Sequence, residues 1–132
     1  MAVAALRSLV SALEAAGHTV LTKHLLEDNV ETAESALSER AVYERDIGWL
    51  EGCDVLIADA SGSSFGVGFE VGYVLGRSDR TRQRVVLLYR ADRRDRVSRL
   101  IVGNGHPRCM TLAYEDPDVL VVRVLQALQA AS

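Results

Sequence analysis

The sequence predicts an α/β fold: a parallel sheet, doubly wound, with helices on both faces. Two continuous apolar runs point to it, Cys53-Asp-Val-Leu-Ile-Ala58 and Arg84-Val-Val-Leu-Leu-Tyr89. Strands buried on both sides lose the polar alternation of half-exposed ones. Segments of helical periodicity separate these runs, and the connections are short, as in crossover units. Size agrees. The 132 residues make one compact domain, 1–132, and 48% hydrophobic with 25% charged residues are ordinary globular proportions.

The elements follow in order. Leu6, Leu9, Val10 and Leu13 share a helical face, and Gly17 supplies a stop after Ala16. His18–Thr22 reads as a short strand, and a polar, acidic stretch leads into a long helix from Thr32 to Leu50. In that helix Ala36, Tyr43, Ile47 and Leu50 share one face. Cys53–Ala58 is the next strand, the Gly- and Ser-rich loop Ser61–Gly66 opens a helix through Leu75, and Arg84–Tyr89 is a further strand. Arg93–Val102 reads as a helix ending at Gly103, and Cys109–Ala113 as the last strand. Asp116-Pro-Asp118 marks the final helix with a capping acid, a proline in the first turn and a second acid on the positive end. Four strands are visible. The chain opens on a helix, where a doubly wound domain opens on a central strand; that strand would precede residue 1.

Composition narrows the function classes. No window approaches 18 uncharged apolar residues, so a membrane-spanning helix is not expected. The apolar start Met1–Leu6 has no basic region before it and meets Arg7 early, which argues against a secretory signal. Cys53 and Cys109 lie far apart in no metal or disulfide pattern, so the expected compartment is the cytoplasm. The net charge of −3 covers an uneven distribution: residues 24 to 54 hold nine acids against Arg40 and Arg45, and residues 77 to 99 hold nine arginines against three aspartates. Arginine forks suit phosphate or carboxylate, so the second stretch faces solvent, another subunit or an anionic ligand. Tyr89 is the one aromatic residue among them, and nucleic acid is not an expected partner.

Ligands of parallel sheets bind beyond the carboxyl ends of the strands, so the turn after Ala58 carries most information. Gly66 and Gly68 let a backbone approach a ligand. The hydroxyls of Ser61, Ser63 and Ser64 can donate hydrogen bonds, and the free amides of the following helix can hold a phosphate. A dinucleotide fingerprint would need glycine at Val71 and an acid near Arg90, and a P-loop would need Gly-Lys-Ser/Thr; neither pattern is present. Glu70, in or near the first turn of that helix, is flanked by Phe69 and Val71. A carboxylate kept ionised by the helix dipole and partly desolvated suits a nucleophile toward a sugar carbon, while an acid that only complements the helix start has the same spacing. Asp46 lies on the acidic helix between Tyr43 and Trp49, although Glu44 and Glu51 give that helix a solvated face too. His18, His24 and His106 have no metal-ligand spacing, so neither metal nor cofactor is expected; His24 stands at a strand end where a site could use it.

Arg45-Asp46-Ile-Gly-Trp49-Leu, Asp54-Val-Leu-Ile-Ala58 and Ser64-Phe-Gly-Val-Gly-Phe-Glu70-Val-Gly72 together resemble the 2′-deoxynucleoside 5′-phosphate N-hydrolases of the nucleoside 2-deoxyribosyltransferase superfamily. The likeness extends from the first helix to the last, including Thr19–His24 and Arg96-Val-Ser98. It implies a Rossmann-like (flavodoxin-like) sheet and hydrolysis of the N-glycosidic bond of deoxynucleoside 5′-monophosphates. It also implies that Glu70 attacks the anomeric carbon, that Asp46 assists base departure and then water, and that Ser64 contacts the 5′-phosphate. Ser98 looks like the serine that reaches the phosphate from a neighbouring subunit, which implies a homodimer. The family opens with a strand, a Gly- and Ser-containing phosphate loop and a catalytic tyrosine; these are missing ahead of Met1, so the chain reads as N-terminally shortened. Two alternatives stand beside this reading: a nucleoside 2-deoxyribosyltransferase, and a catalytically impaired nucleotide-binding dimeric module.

Overall fold

The structure is a computed structural model that describes residues 1–62 and 65–130, with the backbone alone at His24. The chain forms two compact units, residues 2–53 and residues 54–132 with Met1.

In the first unit, helix α1 (Val3–Ala15) ends as its sequence requires. Gly17 takes φ +94°, His18 N–H donates to the Leu13 carbonyl and Gly17 N–H to that of Glu14. This is a Schellman ending, and the left-handed residue it needs is cheapest as glycine. The strand expected at His18–Thr22 does not form. Its first N–H is already committed to the α1 cap, Thr22 accepts from Leu25 N–H in a turn, and a short 3-10 helix follows at Lys23–Leu26. No other strand exists among the described residues of this unit, and a lone strand would leave its ladder groups unpaired. The long helix expected from Thr32 to Leu50 is broken into α2 (Val30–Ser35) and α3 (Glu39–Gly52). The cause is Ser38, whose extended backbone and side-chain oxygen, accepting from Ala41 N–H at 3.0 Å, make it an N-cap.

The second unit carries the sheet. Strands β1 (Val55–Asp59), β2 (Arg84–Arg90) and β3 (Cys109–Tyr114) are parallel in the order β1-β2-β3, with Ile57 opposite Val86 and Leu88 opposite Leu112. Among the described residues three strands thus stand where the sequence suggested four. All of Val85 to Tyr89 are buried. Consecutive strand residues point to opposite faces, so both faces of β2 are covered, as its unbroken apolar run requires. Helix α4 (Phe65–Thr81) packs on β1 and β2, and α6 (Pro117–Ala130) packs on β3 through Leu120, Val124 and Ala127. Asp116 caps α6, its carboxylate accepting from Asp118 N–H at 2.9 Å.

The helix expected at Arg93–Val102 is a 3-10 turn (Ala91–Arg96) followed by the short helix α5 (Arg99–Val102). Between them Val97 turns extended to bury its side chain, and Ser98 caps α5. Two arginines of the basic stretch, Arg84 and Arg93, and Arg108 beyond it donate to backbone carbonyls. Arg84 donates to the carbonyls of Ala127 and Leu128 at the end of α6, where a cation also meets the negative helix end. Arg108 donates to the carbonyls of Gln83 and Arg82, which secures a turn in which Arg82 adopts φ +64°. Among the described residues, no helix is long and apolar enough to cross a membrane.

Leu87 is fully buried at the centre of the sheet, whereas Leu100 is 83% exposed. Leu87→Ala is expected to cost about 3 kcal/mol in urea unfolding, because the cavity adds to the lost transfer energy. Leu100→Ala is expected to change stability by less than about 0.5 kcal/mol. Equal effects of the two substitutions would contradict this placement of the core.

Candidate active site

The carboxyl ends of the three strands meet in one hydrogen-bonded knot. Asp59 ends β1, and its Oδ1 accepts from the backbone N–H of Ser61 at 3.0 Å and from the Ser61 hydroxyl at 2.6 Å. The buried Ser61 Oγ in turn accepts from the N–H of Arg90, the last residue of β2, at 2.8 Å. Tyr114, the last residue of β3, donates its hydroxyl to Asp59 Oδ2 at 3.3 Å. The Met1 ammonium stands 2.6 Å from the same oxygen, and Arg93 reaches the Ser61 carbonyl at 3.3 Å.

Burial alone would raise the Asp59 carboxyl. The Met1 ammonium and the Ser61 donors outweigh it and hold this group below the ordinary carboxylate range. Burial raises the Tyr114 hydroxyl, and the adjacent Asp59 charge pushes the same way.

This knot fixes the take-off of the loop that leads into α4. Ser61 and Gly62 are described; Ser63 and Ser64, expected as hydrogen-bond donors, lie outside the described residues. Helix α4 starts at Phe65, so Glu70 occupies its second turn rather than its first, and the first turn holds no acid. The helix dipole acts within the first turn, so at this position neither the reading of Glu70 as a complement to the helix start nor dipole support for its charge holds. Glu70 is half-buried between exposed Phe69 and buried Val71. Helical side chains lean toward the N-terminus, so the neighbour over which Glu70 leans is the residue four before it, Gly66. Glycine there puts no side chain in front of the carboxylate. A Cβ on Gly68 would meet nothing within 4 Å.

Asp46 lies in the other unit, on α3. Its Oδ1 accepts from Arg45 Nε at 3.0 Å and stands 2.9 Å from Arg45 Nη2. Ser98 is exposed, its Oγ accepting from Leu100 N–H at 3.2 Å. His24 falls within the 3-10 helix rather than at a strand end. The knot of Asp59, Ser61, Arg90 and Tyr114 escaped the sequence reading. Its one local signal is Asp-x-Ser directly after a buried strand, where an aspartate accepts from the N–H two residues on.

A buried parallel sheet, a glycine-bearing loop after its first strand and a half-buried glutamate on the following helix define an α/β domain, with the loop at the strand ends where such sheets generally take ligands. The sequence profile of the nucleoside 2-deoxyribosyltransferase family matches residues 1–118, and the chain belongs to this family. A Thermofilum pendens protein named as a 2′-deoxynucleoside 5′-phosphate N-hydrolase is 38% identical over 123 residues, which cover 93% of this chain and 82% of the relative. A Methanosarcina mazei protein of the same name is 33% identical over 124 residues, 94% of this chain and 73% of the relative. The human 5-hydroxymethyl-dUMP N-hydrolase is 33% identical over 114 residues, 84% of this chain and 63% of the relative.

The depressed Asp59 carboxyl fixes the sign of a pH effect. A group whose folded value lies below its unfolded one contributes stability above the unfolded value and loses it as pH falls through the folded one. The stability gap between wild type and Asp59→Asn, measured by urea unfolding, is expected to be larger at pH 6 than at pH 2.5. A gap that stays constant across this range would contradict the ionised knot.

Proposed function

We propose that the protein hydrolyses the N-glycosidic bond of 2′-deoxynucleoside 5′-monophosphates, releasing a free base and 2-deoxyribose 5-phosphate. The observation that carries this reading is Glu70, half-buried in the second turn of α4 with Gly66 before it, in a chain whose relatives bear N-hydrolase names.

In the first step the C1′–N bond breaks, its electron pair and a proton go to the base nitrogen, and a Glu70 oxygen bonds to C1′. In the second, water oxygen bonds to C1′, the glycosyl ester C1′–O bond breaks, and the water proton passes to a carboxylate. Without a 2′-hydroxyl the oxocarbenium-like transition state is easier to reach, and a nearby carboxylate captures it. Asp46 serves the proton transfers, protonating the departing base and then receiving the proton of water. The 5′-phosphate binds at the loop before α4, to Ser64 and to backbone exposed by Gly66 and Gly68, and this remote anchor places the sugar. His24 contributes to substrate binding. Ser98 contacts the phosphate of the partner subunit in a homodimer; its exposure and its place beyond the end of β2 support that role.

The profile that matches residues 1–118 is that of transferases, which supports a second reading: transfer of the deoxyribosyl group from the Glu70 ester to another base. Added free base, with analysis for an exchanged product, separates transfer from hydrolysis.

Base release is to be measured on the four common deoxynucleoside 5′-monophosphates and 5-hydroxymethyl-dUMP. Glu70→Ala is expected to lower turnover by at least about 1,000-fold while the circular dichroism spectrum is kept. Turnover equal to wild type would reject the nucleophile.

Subunit mixing tests Ser98. Glu70→Gln and Ser98→Ala proteins, each impaired alone, are expected to regain activity when refolded together, since one site of the mixed dimer then holds Glu70 and a partner's Ser98. Absence of any regain would place Ser98 outside the neighbouring site.

A further inference from the structure

We propose that Arg45 is the positioning residue for Asp46: it clamps one carboxylate oxygen and leaves the other to face the substrate. The inference rests on the reading that Asp46 serves the proton transfers.

The guanidinium is fixed on three sides. Nη1 and Nη2 make a bidentate pair with Glu34 at 2.6 Å and 2.8 Å. The planar face lies over the Trp49 ring, 4.5 Å from its centroid, one helical turn further along α3. Nε and Nη2 then present their shared edge to Asp46, and both contacts fall on Oδ1. Three of the five N–H donors of an arginine are used in hydrogen bonds here, and Nη2 also stands at ion-pair distance from Asp46. Asp46 Oδ2 takes no hydrogen bond from any described residue, and the side chain is 39% exposed.

A carboxylate held at both oxygens is blocked, and one held at neither samples several rotamers. A clamp on one oxygen alone keeps a single rotamer and leaves one lone-pair edge for a base nitrogen or a water. Lysine has no planar fork and cannot serve two carboxylates and a ring face at once. The pair to Glu34 also spans the break at Ser38 and ties α2 to α3, so the orientation of Asp46 depends on a residue eleven positions before Arg45.

The test is a double-mutant cycle on base release from the best substrate of the panel above, with thermal unfolding as the control for fold. Arg45→Met is expected to lower kcat about tenfold with KM nearly unchanged, because misplacing a reacting group affects the chemical step and not the phosphate anchor. In an Asp46→Asn background the same substitution is expected to change kcat less than about twofold. Glu34→Gln should lower kcat in the same direction, and Arg45→Lys should not restore it.

An equal loss from Arg45→Met in both backgrounds, or wild-type kcat in Arg45→Met while Asp46→Asn is impaired, would overturn the positioning role and leave Asp46 standing. Wild-type kcat in Asp46→Asn would overturn the reading of Asp46 itself. Three-bond couplings of the Asp46 side chain, measured without substrate, decide the clamp independently of activity. One fixed rotamer in wild type and averaging in Arg45→Met supports it, and equal order in both proteins overturns it.

Discussion

Ser61 is the residue on which the ligand end of the sheet depends. Through one hydroxyl and one N–H it joins Asp59 at the end of β1 to Arg90 at the end of β2, and Asp59 carries the link on to Tyr114 at the end of β3. A buried hydroxyl in this position is costly unless both its donor and its acceptor are used, and here both are. The loop that follows starts from a fixed point, and the helix that presents Glu70 starts four residues later.

Much of the fold was written in local pattern. The runs at Val55–Asp59 and Arg84–Arg90 are strands because nothing polar interrupts them, and Gly17 and Asp116 end and start helices as their chemistry dictates. Where the reading failed, a single serine or a missing partner decided. Ser38 and Ser98 cap helices in the middle of segments that read as continuous helices, the first of them from its apolar spacing. His18–Thr22 has strand composition, but a strand is a property of two segments, and composition reports only one.

The site was legible in its residue types more than in its support. Glycines before a glutamate drew attention to Gly66 and Glu70, the resemblance assigned parts to Glu70, Asp46, Ser64 and Ser98, and His24 was singled out only by its place at an expected strand end. What holds Asp46 was not visible, because Glu34 and Arg45 are separated by eleven positions and a helix break. Only the Arg45–Trp49 stack has helical spacing that a sequence could disclose. The arginine-rich stretch shows the opposite lesson: Arg84 and Arg93 are spent on backbone carbonyls, so a basic run is no measure of anionic ligand binding.

The central claim is chemical: a transient ester between a deoxyribosyl C1′ and the α4 carboxylate. Acid quenching during turnover, followed by peptide mass spectrometry, tests it most directly. The account predicts a peptide containing Glu70 heavier by one 2-deoxyribosyl 5-phosphate group, formed with base release and absent from Glu70→Gln. The same adduct on another residue, or base release with no adduct even when the second step is slowed, would contradict it.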